Sequence, residues 1–314
     1  MSAREIIGPA SSFYVSQRLK LHFVDWGNEE KPPLLLIHGG KDHARSWDFV
    51  ARTLRSDYHV IAPDLRGHGD SAWAQGSTYM LPEYVLDMAQ LIEVLGLAPV
   101  DIIGHSMGAA VSLYYAGVYP EKVRKLVAIE GMGAPPELRV QNQNRELWEM
   151  TVAWIDAVRS GARRQSRRYA TIDEAAARMQ GENPNLTAAQ AHHLTVHGVA
   201  RNEDGSFSWK FDNASRPLFP QRLAPGMLER LWQRIACPTL LVHCGDGWHG
   251  DPDKDGRAGN IQNARVLEIP RAGHWVHHDQ RDAFVAAIRA FLAEPSAQAK
   301  EPSAQAKEPS AQAK

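Results

Sequence analysis

Apolar positions follow an alternating pattern from Phe13 to about Glu130. Four short apolar runs are typical of buried strands: PLLLIH at 33–38, HVIAP at 59–63, VDIIG at 100–104 and KLVAIE at 125–130. Helical spacing of apolar residues separates them near 45–55, 81–96 and 106–118. Two earlier segments, SSFYVS and LKLHFVDWG, predict an antiparallel hairpin that enters the same sheet. This alternation predicts an α/β fold, a mostly parallel sheet covered by helices on both faces.

The alternation stops near residue 134 and returns near residue 236. Helical patterns such as ELWEMTVAWIDAVR and TAAQAHHLTVHGV fill the interval, which is too long for a connecting loop. Strand-like runs then resume with PTLLVHC and ARVLEI, and DAFVAAIRAFLA predicts a closing helix. We therefore expect a core formed by residues 1–133 and 236–293, with a helical cap inserted at 134–235.

The last 21 residues, 294–314, repeat EPSAQAK three times. A proline in every repeat interrupts helix, and the repeat offers almost no apolar surface to bury. We expect this tail to be disordered.

Composition narrows the range of partners. The formal net charge of −1 gives no general attraction to nucleic acid or to anionic membranes. The sequence shows no stretch like a signal peptide and no run that could span a bilayer. Cys237 and Cys244, if they share one strand, lie too far apart for a disulfide. We expect free thiols, a cytoplasmic location and no membrane or nucleic-acid partner; the oligomeric state stays open.

One serine stands between two glycines in the stretch DIIGHSMGAAVSLYYAG at 101–117. A strand that turns directly into a helix holds the turning residue in a strained conformation and needs neighbours without side chains. Ser106, with Gly104 and Gly108 around it, fits this G-x-S-x-G nucleophile elbow.

A nucleophilic serine requires a base and an oxyanion hole. His274 follows the last predicted strand, at the sheet edge where Ser106 would emerge, and is the best candidate base. Gly40 ends the stretch His38-Gly39-Gly40 that follows the apolar strand run, and a glycine there allows close approach of its backbone N–H to a substrate. We expect the N–H groups of Gly40 and Met107 to form the oxyanion hole.

These segments together resemble the α/β-hydrolase superfamily. The resemblance rests on HGG at 38–40, DLRGHGDS at 64–71, GHSMG at 104–108 and AGHW at 272–275, and covers residues 13–133 and 235–293. It implies an eight-stranded sheet, Ser106 as nucleophile, His274 as base, and hydrolysis through an acyl-enzyme without a cofactor or metal. The implied partner is a small-molecule acyl substrate. Asp64, Arg66 and His68 are expected to be structural.

The base His274 needs a carboxylate to orient it, and the position of this acid departs from the commonest pattern of the superfamily. Many members carry an aspartate three residues after the glycine that ends the penultimate strand, and here that position is Trp248. Glu130 ends the strand KLVAIE, a place from which the haloalkane dehalogenase group supplies its acid. We predict Glu130 as the acid, with Asp246 and then Asp251 as alternatives.

Other interpretations stay open at this point. The same residues could perform cofactor-free hydrolysis of a carbon–carbon bond or perhydrolysis, or the fold could serve as a ligand receptor. Serine at 106 argues against a dehalogenase or epoxide hydrolase, because these enzymes attack with an aspartate.

Asp251, Asp253 and Asp255 have the spacing of a calcium loop, but Gln262 stands where the bidentate glutamate belongs. His193 and His197 share a helical face without an evident third ligand. Five cap aromatics could line an acyl pocket or fill the cap core: Trp148, Trp154, Trp209, Phe211 and Trp232.

Overall fold

A computed structural model describes residues 8–75, 79–133, 145–163, 166–215, 224, 226–247 and 249–295. Its main feature is an eight-stranded sheet with the strand order β1-β2-β4-β3-β5-β6-β9-β10. The first six strands are β1 Ala10–Ser16, β2 Leu19–Asp25, β3 Pro33–Ile37, β4 His59–Pro63, β5 Val100–His105 and β6 Val123–Ile129. The last two are β9 Thr239–Cys244 and β10 Ala264–Ile269. Within this sheet, as far as the structure describes it, β1–β2 and β2–β4 are the antiparallel pairs and the other pairs are parallel, so the predicted α/β class and the entering hairpin are confirmed.

Successive residues of the central strands pack into two different apolar cores. In β3, Leu35 and Ile37 join one core while Leu34 and Leu36 join the other. Side chains of a strand alternate between faces, so both faces are buried and the strand reads as a continuous apolar run. Helices cover these faces: α1 Asp48–Leu54, α2 Leu81–Val94, α3 Met107–Val118, and near the C-terminus α8 Val276–Asp279 and α9 Arg281–Ala293.

The described residues between β6 and β9 form mostly helices. They are α4 Leu147–Arg163, α5 Ile172–Glu182, α6 Ala188–Gly198 and α7 Met227–Trp232. Thr171 and Thr187 cap α5 and α6, each accepting a backbone N–H with its side chain. A two-stranded hairpin, β7 Val199–Arg201 with β8 Phe207–Trp209, was not predicted because three-residue strands are too short to show alternation. The proposed cap limits, 134–235, stay a prediction.

Several further expectations can be placed against this fold. Cys237 and Cys244 are unpaired and buried. No helix in the described ranges has the length and apolarity needed to cross a membrane. Trp248 and all of the EPSAQAK tail except its first two residues lie outside the described residues.

The topology collects the candidate residues at one edge. Strands β3, β5, β6, β9 and β10 run parallel, so their carboxyl ends meet at the same edge of the sheet. In open α/β sheets this edge is where ligands bind. Gly40, Ser106, Glu130 and His274 each follow one of these strands.

Candidate active site

Ser106 occupies a strained turn between β5 and α3. Its backbone has φ 52° and ψ −115°, values that a serine adopts only when its surroundings impose them. A Cβ at Gly104 would stand 2.6 Å from the carbonyl oxygen of Gly108, and a Cβ at Gly108 would stand 2.4 Å from that of Ile37. The two glycines therefore let helix, turn and sheet pack in direct backbone contact.

The loop that carries His274 is hydrogen-bonded to the turn that contains Ser106. His105, buried directly before Ser106, places its Nε2 2.7 Å from the backbone oxygen of His274. At the other side, the N–H of Gly273 donates to Asp279 at 2.8 Å. These bonds position His274, and its side chain and Ser106 line the same cavity.

Glu130 is the carboxylate beside His274. It lies directly after β6 with φ 50° and is 4% exposed. Its Oε2 is 3.6 Å from Nδ1 of His274, an ion-pair distance that exceeds the 2.6–3.2 Å expected of a hydrogen bond. Its Oε1 accepts the N–H of Cys244 at 2.9 Å, and Nδ1 of His243 lies 3.3 Å from the same oxygen. A carboxylate can only accept, so His243 donates.

The surroundings of Glu130 keep its carboxyl group ionised. Burial alone raises the pKa, but the adjacent His274 ring and the Cys244 N–H outweigh it and hold the pKa of Glu130 below its usual value. A carboxylate charged at neutral pH can orient an imidazole and stabilise its protonated form.

The two alternative acids lie in other surroundings. Asp246 is exposed, and its backbone N–H bonds to Ala272. Asp251 pairs with Lys254 at 3.2 Å and accepts the backbone N–H of Asp253. The geometry thus brings Glu130, rather than either aspartate, into contact with His274.

Gly40 and Met107 both line the cavity that contains Ser106. Met107 is the first residue of α3, so its N–H has no acceptor within the helix. The loop before Gly40 is held by His38, whose Nε2 accepts the N–H of Leu65 at 2.9 Å and whose Nδ1 therefore donates to the Gly39 oxygen at 2.7 Å. A Cβ at Gly39 would stand 3.2 Å from that of Ser106, so this glycine lets the loop pack against the serine.

The shared cavity has a volume of about 810 Å³. Trp209 and Phe211 line it, together with Met179 and Asn183 from the inserted segment. Trp232 instead packs into the core, and Trp148 is 65% exposed. The sequence did not identify polar cavity-lining residues such as Asn183. Nothing in the spacing of polar residues in the inserted segment shows which face of a helix is turned toward the core.

The remaining sequence candidates have structural partners. Asp64 accepts the N–H groups of Ala44 and Asp70 at 2.6 and 2.9 Å. Arg66 binds both carboxylate oxygens of Asp87. In the possible calcium loop, Asp255 is paired with Arg257 at 2.7 Å.

His193 and His197 do have a third neighbour. Asp48 approaches His193 at 3.1 Å. The sequence could not reveal this proximity because the residues lie far apart in the chain. Both oxygens of Asp48 also accept from Arg45.

Comparison with known proteins adds independent information. The model of the alpha/beta hydrolase fold family matches residues 32–280. A serine hydrolase-like protein of Danio rerio is 26% identical over 283 residues, covering 86% of this chain and 84% of that protein. Epoxide hydrolase 4 of Mus musculus is 37% identical over 112 residues, but these are only 35% of this chain and 31% of the mouse protein. The thioesterase domain from the curacin biosynthetic pathway has the same fold, with a TM-score of 0.75 at 24% identity over 90% of this chain and 99% of that domain.

Proposed function

We propose that this chain, which belongs to the α/β-hydrolase family and is a hydrolase, cleaves carboxylic esters or related acyl bonds through an acyl-serine at Ser106. The observation that carries the proposal is the strained Ser106 turn beside a histidine that a buried carboxylate contacts. Backbone strain at a single residue persists only when the surrounding packing imposes it, and such residues cluster at functional sites.

The proposed reaction proceeds in two steps. In the first, Ser106 Oγ attacks the acyl carbon while His274 takes the hydroxyl proton and delivers it to the leaving alcohol. In the second, His274 takes a proton from water as the resulting hydroxide attacks the acyl carbon, and it then returns that proton to Ser106 Oγ as the acyl–Oγ bond breaks and the acid product leaves. Ionised Glu130 would hold the imidazole with Nε2 facing the serine and stabilise its positive charge. The N–H groups of Gly40 and Met107 would bind the oxyanion.

The identity of residue 106 separates this proposal from epoxide opening. Epoxide hydrolases of this fold attack with an aspartate, whereas this chain has serine at the turn. The similarity to the Danio rerio protein, which is called serine hydrolase-like, agrees with a serine nucleophile. The stretch that matches the mouse epoxide hydrolase covers only 31% of that protein. The similarity therefore does not indicate that this chain opens epoxides.

Covalent labelling tests the proposal directly. A fluorophosphonate should label the wild-type chain once, and Ser106→Ala should lose both the label and p-nitrophenyl ester turnover, with a drop in kcat of about 10⁴-fold or more. Ser166→Ala is the matched control, because Ser166 lines the same cavity. Turnover that survives Ser106→Ala would refute the proposal. If the wild-type protein is labelled but does not turn over simple esters, Ser106 would still be the nucleophile, and its substrate would be another acyl compound.

A further inference from the structure

The shared cavity beside Ser106 has more positive than negative side chains in its wall. Among the described residues that line it, Lys41, Arg167 and Arg178 are cationic and Glu182 is the one carboxylate. With histidine counted as neutral, three cations and one carboxylate leave an excess of two positive charges, whereas the whole chain has a net charge of −1. The excess is therefore local to the cavity, and it favours a ligand with negative charge.

Arg178 and Glu182 neutralise one another. They form an ion pair one helical turn apart on α5, and their side chains are 48% and 59% exposed. An exposed pair of this kind contributes little stability, but its two charges cancel at the cavity wall. The excess therefore comes from Lys41, in the loop after β3, and from Arg167, in the inserted segment between α4 and α5.

Aromatic rings lie beside both of these cations. Lys41 Nζ is 5.2 Å from the ring centre of Phe211, and the guanidinium carbon of Arg167 is 5.3 Å from that of Tyr169. Both rings line the same cavity. The face of a ring attracts a cation but does not neutralise its charge. Within the described ranges Arg167 has no carboxylate partner, so its guanidinium keeps its charge at the cavity wall.

The cations of a neighbouring pocket are neutralised instead. This pocket, of about 710 Å³, is lined by Arg168 and Lys210. Arg168 pairs with Asp204, and Lys210 pairs with Asp70 at 2.7 Å. Two consecutive arginines therefore differ in their surroundings. Arg168 is paired with a carboxylate outside the shared cavity, whereas Arg167 lines that cavity.

We propose that the shared cavity selects acyl substrates that carry a second, anionic group, a carboxylate or a phosphate, and that Lys41 and Arg167 bind this group. The inference rests on the proposed function, which assigns cleavage of the acyl bond to Ser106. A guanidinium donates two parallel hydrogen bonds to either anion, and an ammonium adds a compact charge. Lys41 directly follows Gly40, so the proposed anion site is next in the chain to the proposed oxyanion hole.

The rest of the cavity wall suits the hydrocarbon part of such a substrate. Trp209, Phe211 and Trp275 line it, and its volume of about 810 Å³ is that of a small-molecule pocket. Pockets of this kind combine apolar walls with a few polar groups that fix the orientation of the ligand. An anion bound by two cations would fix the orientation of the acyl chain relative to the serine.

Three p-nitrophenyl esters of similar acyl length test the preference. They are the neutral heptanoate, mono-p-nitrophenyl adipate with a terminal carboxylate, and the corresponding ester with a terminal phosphonate, which stands in for phosphate. The wild type should show a kcat/KM about tenfold or more higher for an anionic ester than for the heptanoate, as hydrogen bonds to a charged group provide. The better of the two anionic esters identifies the anion. Added salt should reduce the preference, because it screens the charges.

Two consecutive arginines provide the variant and its matched control. Arg167→Gln should lower the ratio of kcat/KM for the better anionic ester to kcat/KM for the heptanoate about tenfold, and Lys41→Gln should lower it similarly. Arg168→Gln removes the same charge one residue away and should leave the ratio unchanged. A wild type that prefers the heptanoate to both anionic esters would overturn the inference, and so would equal ratios in Arg167→Gln and Arg168→Gln.

Binding separates failure of this inference from failure of the proposed function. Calorimetry with full-length Ser106→Ala protein and the two anionic esters needs no turnover. Adding Arg167→Gln should weaken binding of the better ester about tenfold, and adding Arg168→Gln should not. If this pattern holds but the wild type hydrolyses none of the esters, the anion site stands and the proposed function fails. Ester turnover with equal affinities in the two double variants would overturn the anion site alone.

Discussion

The two carboxylate oxygens of Glu130 have different partners. Its Oε1 is anchored by the backbone N–H of Cys244 and by His243, both at the end of the neighbouring strand β9. Its Oε2 is left to face His274. A carboxylate anchored through one oxygen keeps the other in a fixed direction, as orientation of an imidazole requires.

Replacing the charge of this carboxylate gives the first prediction. Glu130→Gln should lower kcat by about 10⁴-fold, because the amide neither stabilises the imidazolium nor fixes its tautomer. Asp246→Asn should leave kcat close to the wild-type value, because Asp246 is exposed. Steady-state kinetics on a p-nitrophenyl ester, with circular dichroism to verify folding, compares the two. A larger loss of kcat in Asp246→Asn than in Glu130→Gln would identify Asp246, in the loop after β9, as the acid instead.

His243 gives a second prediction as a positioning residue. His243→Phe removes the donor at 3.3 Å and should lower kcat about ten- to hundredfold, the cost of a lost hydrogen bond to a charged group, with KM little changed. His243→Asn should restore most of the loss, because the asparagine amide can occupy the place of Nδ1. Equal kcat values in the two variants would show that His243 contributes packing alone.

At the scale of elements, the junction of β5 with α3 depends on close contact between backbones. The Cβ that any other residue would add at position 108 meets the carbonyl oxygens of Ile37 and His38, on the neighbouring strand and its loop. Backbone atoms of a central strand cannot move aside as a flexible side chain could. The helix therefore sits at a distance from the sheet that only glycine permits.

Gly108→Ala should accordingly destabilise the fold by about 2–3 kcal/mol, the range of an overpacked core. Gly181→Ala is its control, because a Cβ there meets nothing within 4 Å and alanine is the better helix former within α5. This control should be neutral or stabilising by up to about 1 kcal/mol. Urea unfolding of both variants measures the difference, and equal midpoints would refute the packing argument.

Sequence patterns predicted the elements that bury a face and missed those that do not. The central strands of the parallel sheet were visible because they are buried on both faces, and the serine turn because its geometry demands glycines. The pairing of Glu130 with His243 was not visible, because it depends on how two strands far apart in the chain, β6 and β9, lie side by side. Three-residue β7 and β8 were invisible because they cannot show a period.

At the scale of the whole molecule, several histidines are buried in neutral form. Burial, with a smaller contribution from the neighbouring His68, lowers the pKa of His38 to about 3. Burial likewise lowers the pKa of His278 to about 3, with smaller contributions from His43 and His193. Both folded values lie below the ordinary value of about 6.5 that applies in the unfolded chain. The unfolded chain therefore binds more protons as pH falls from about 6.5 toward 3, and stability is lost over this range.

His278→Gln tests this pH dependence. The glutamine amide can keep the contact that Nε2 makes with Ser46 at 3.0 Å, but it does not titrate. The free energy of unfolding of the wild type should fall between about pH 6.5 and 4.5, and the slope in the variant should be smaller by up to about 1.4 kcal/mol per pH unit. Urea unfolding at a series of pH values measures both slopes, and parallel slopes would mean that His278 is not neutral in the folded protein.

The order of the site residues along the chain has a consequence for synthesis. Gly40, Ser106 and Glu130 precede the inserted helices, whereas His274 follows both β9 and β10, the last two strands of the sheet. Domains begin to fold from the N-terminus while the ribosome is still adding residues. A nascent chain that has reached the inserted segment thus carries the proposed nucleophile and acid but lacks the base between them. The proposed catalysis must wait until β9 has paired with β6 and β10 with β9, so the onset of hydrolysis during translation reports that the C-terminal part of the sheet has formed.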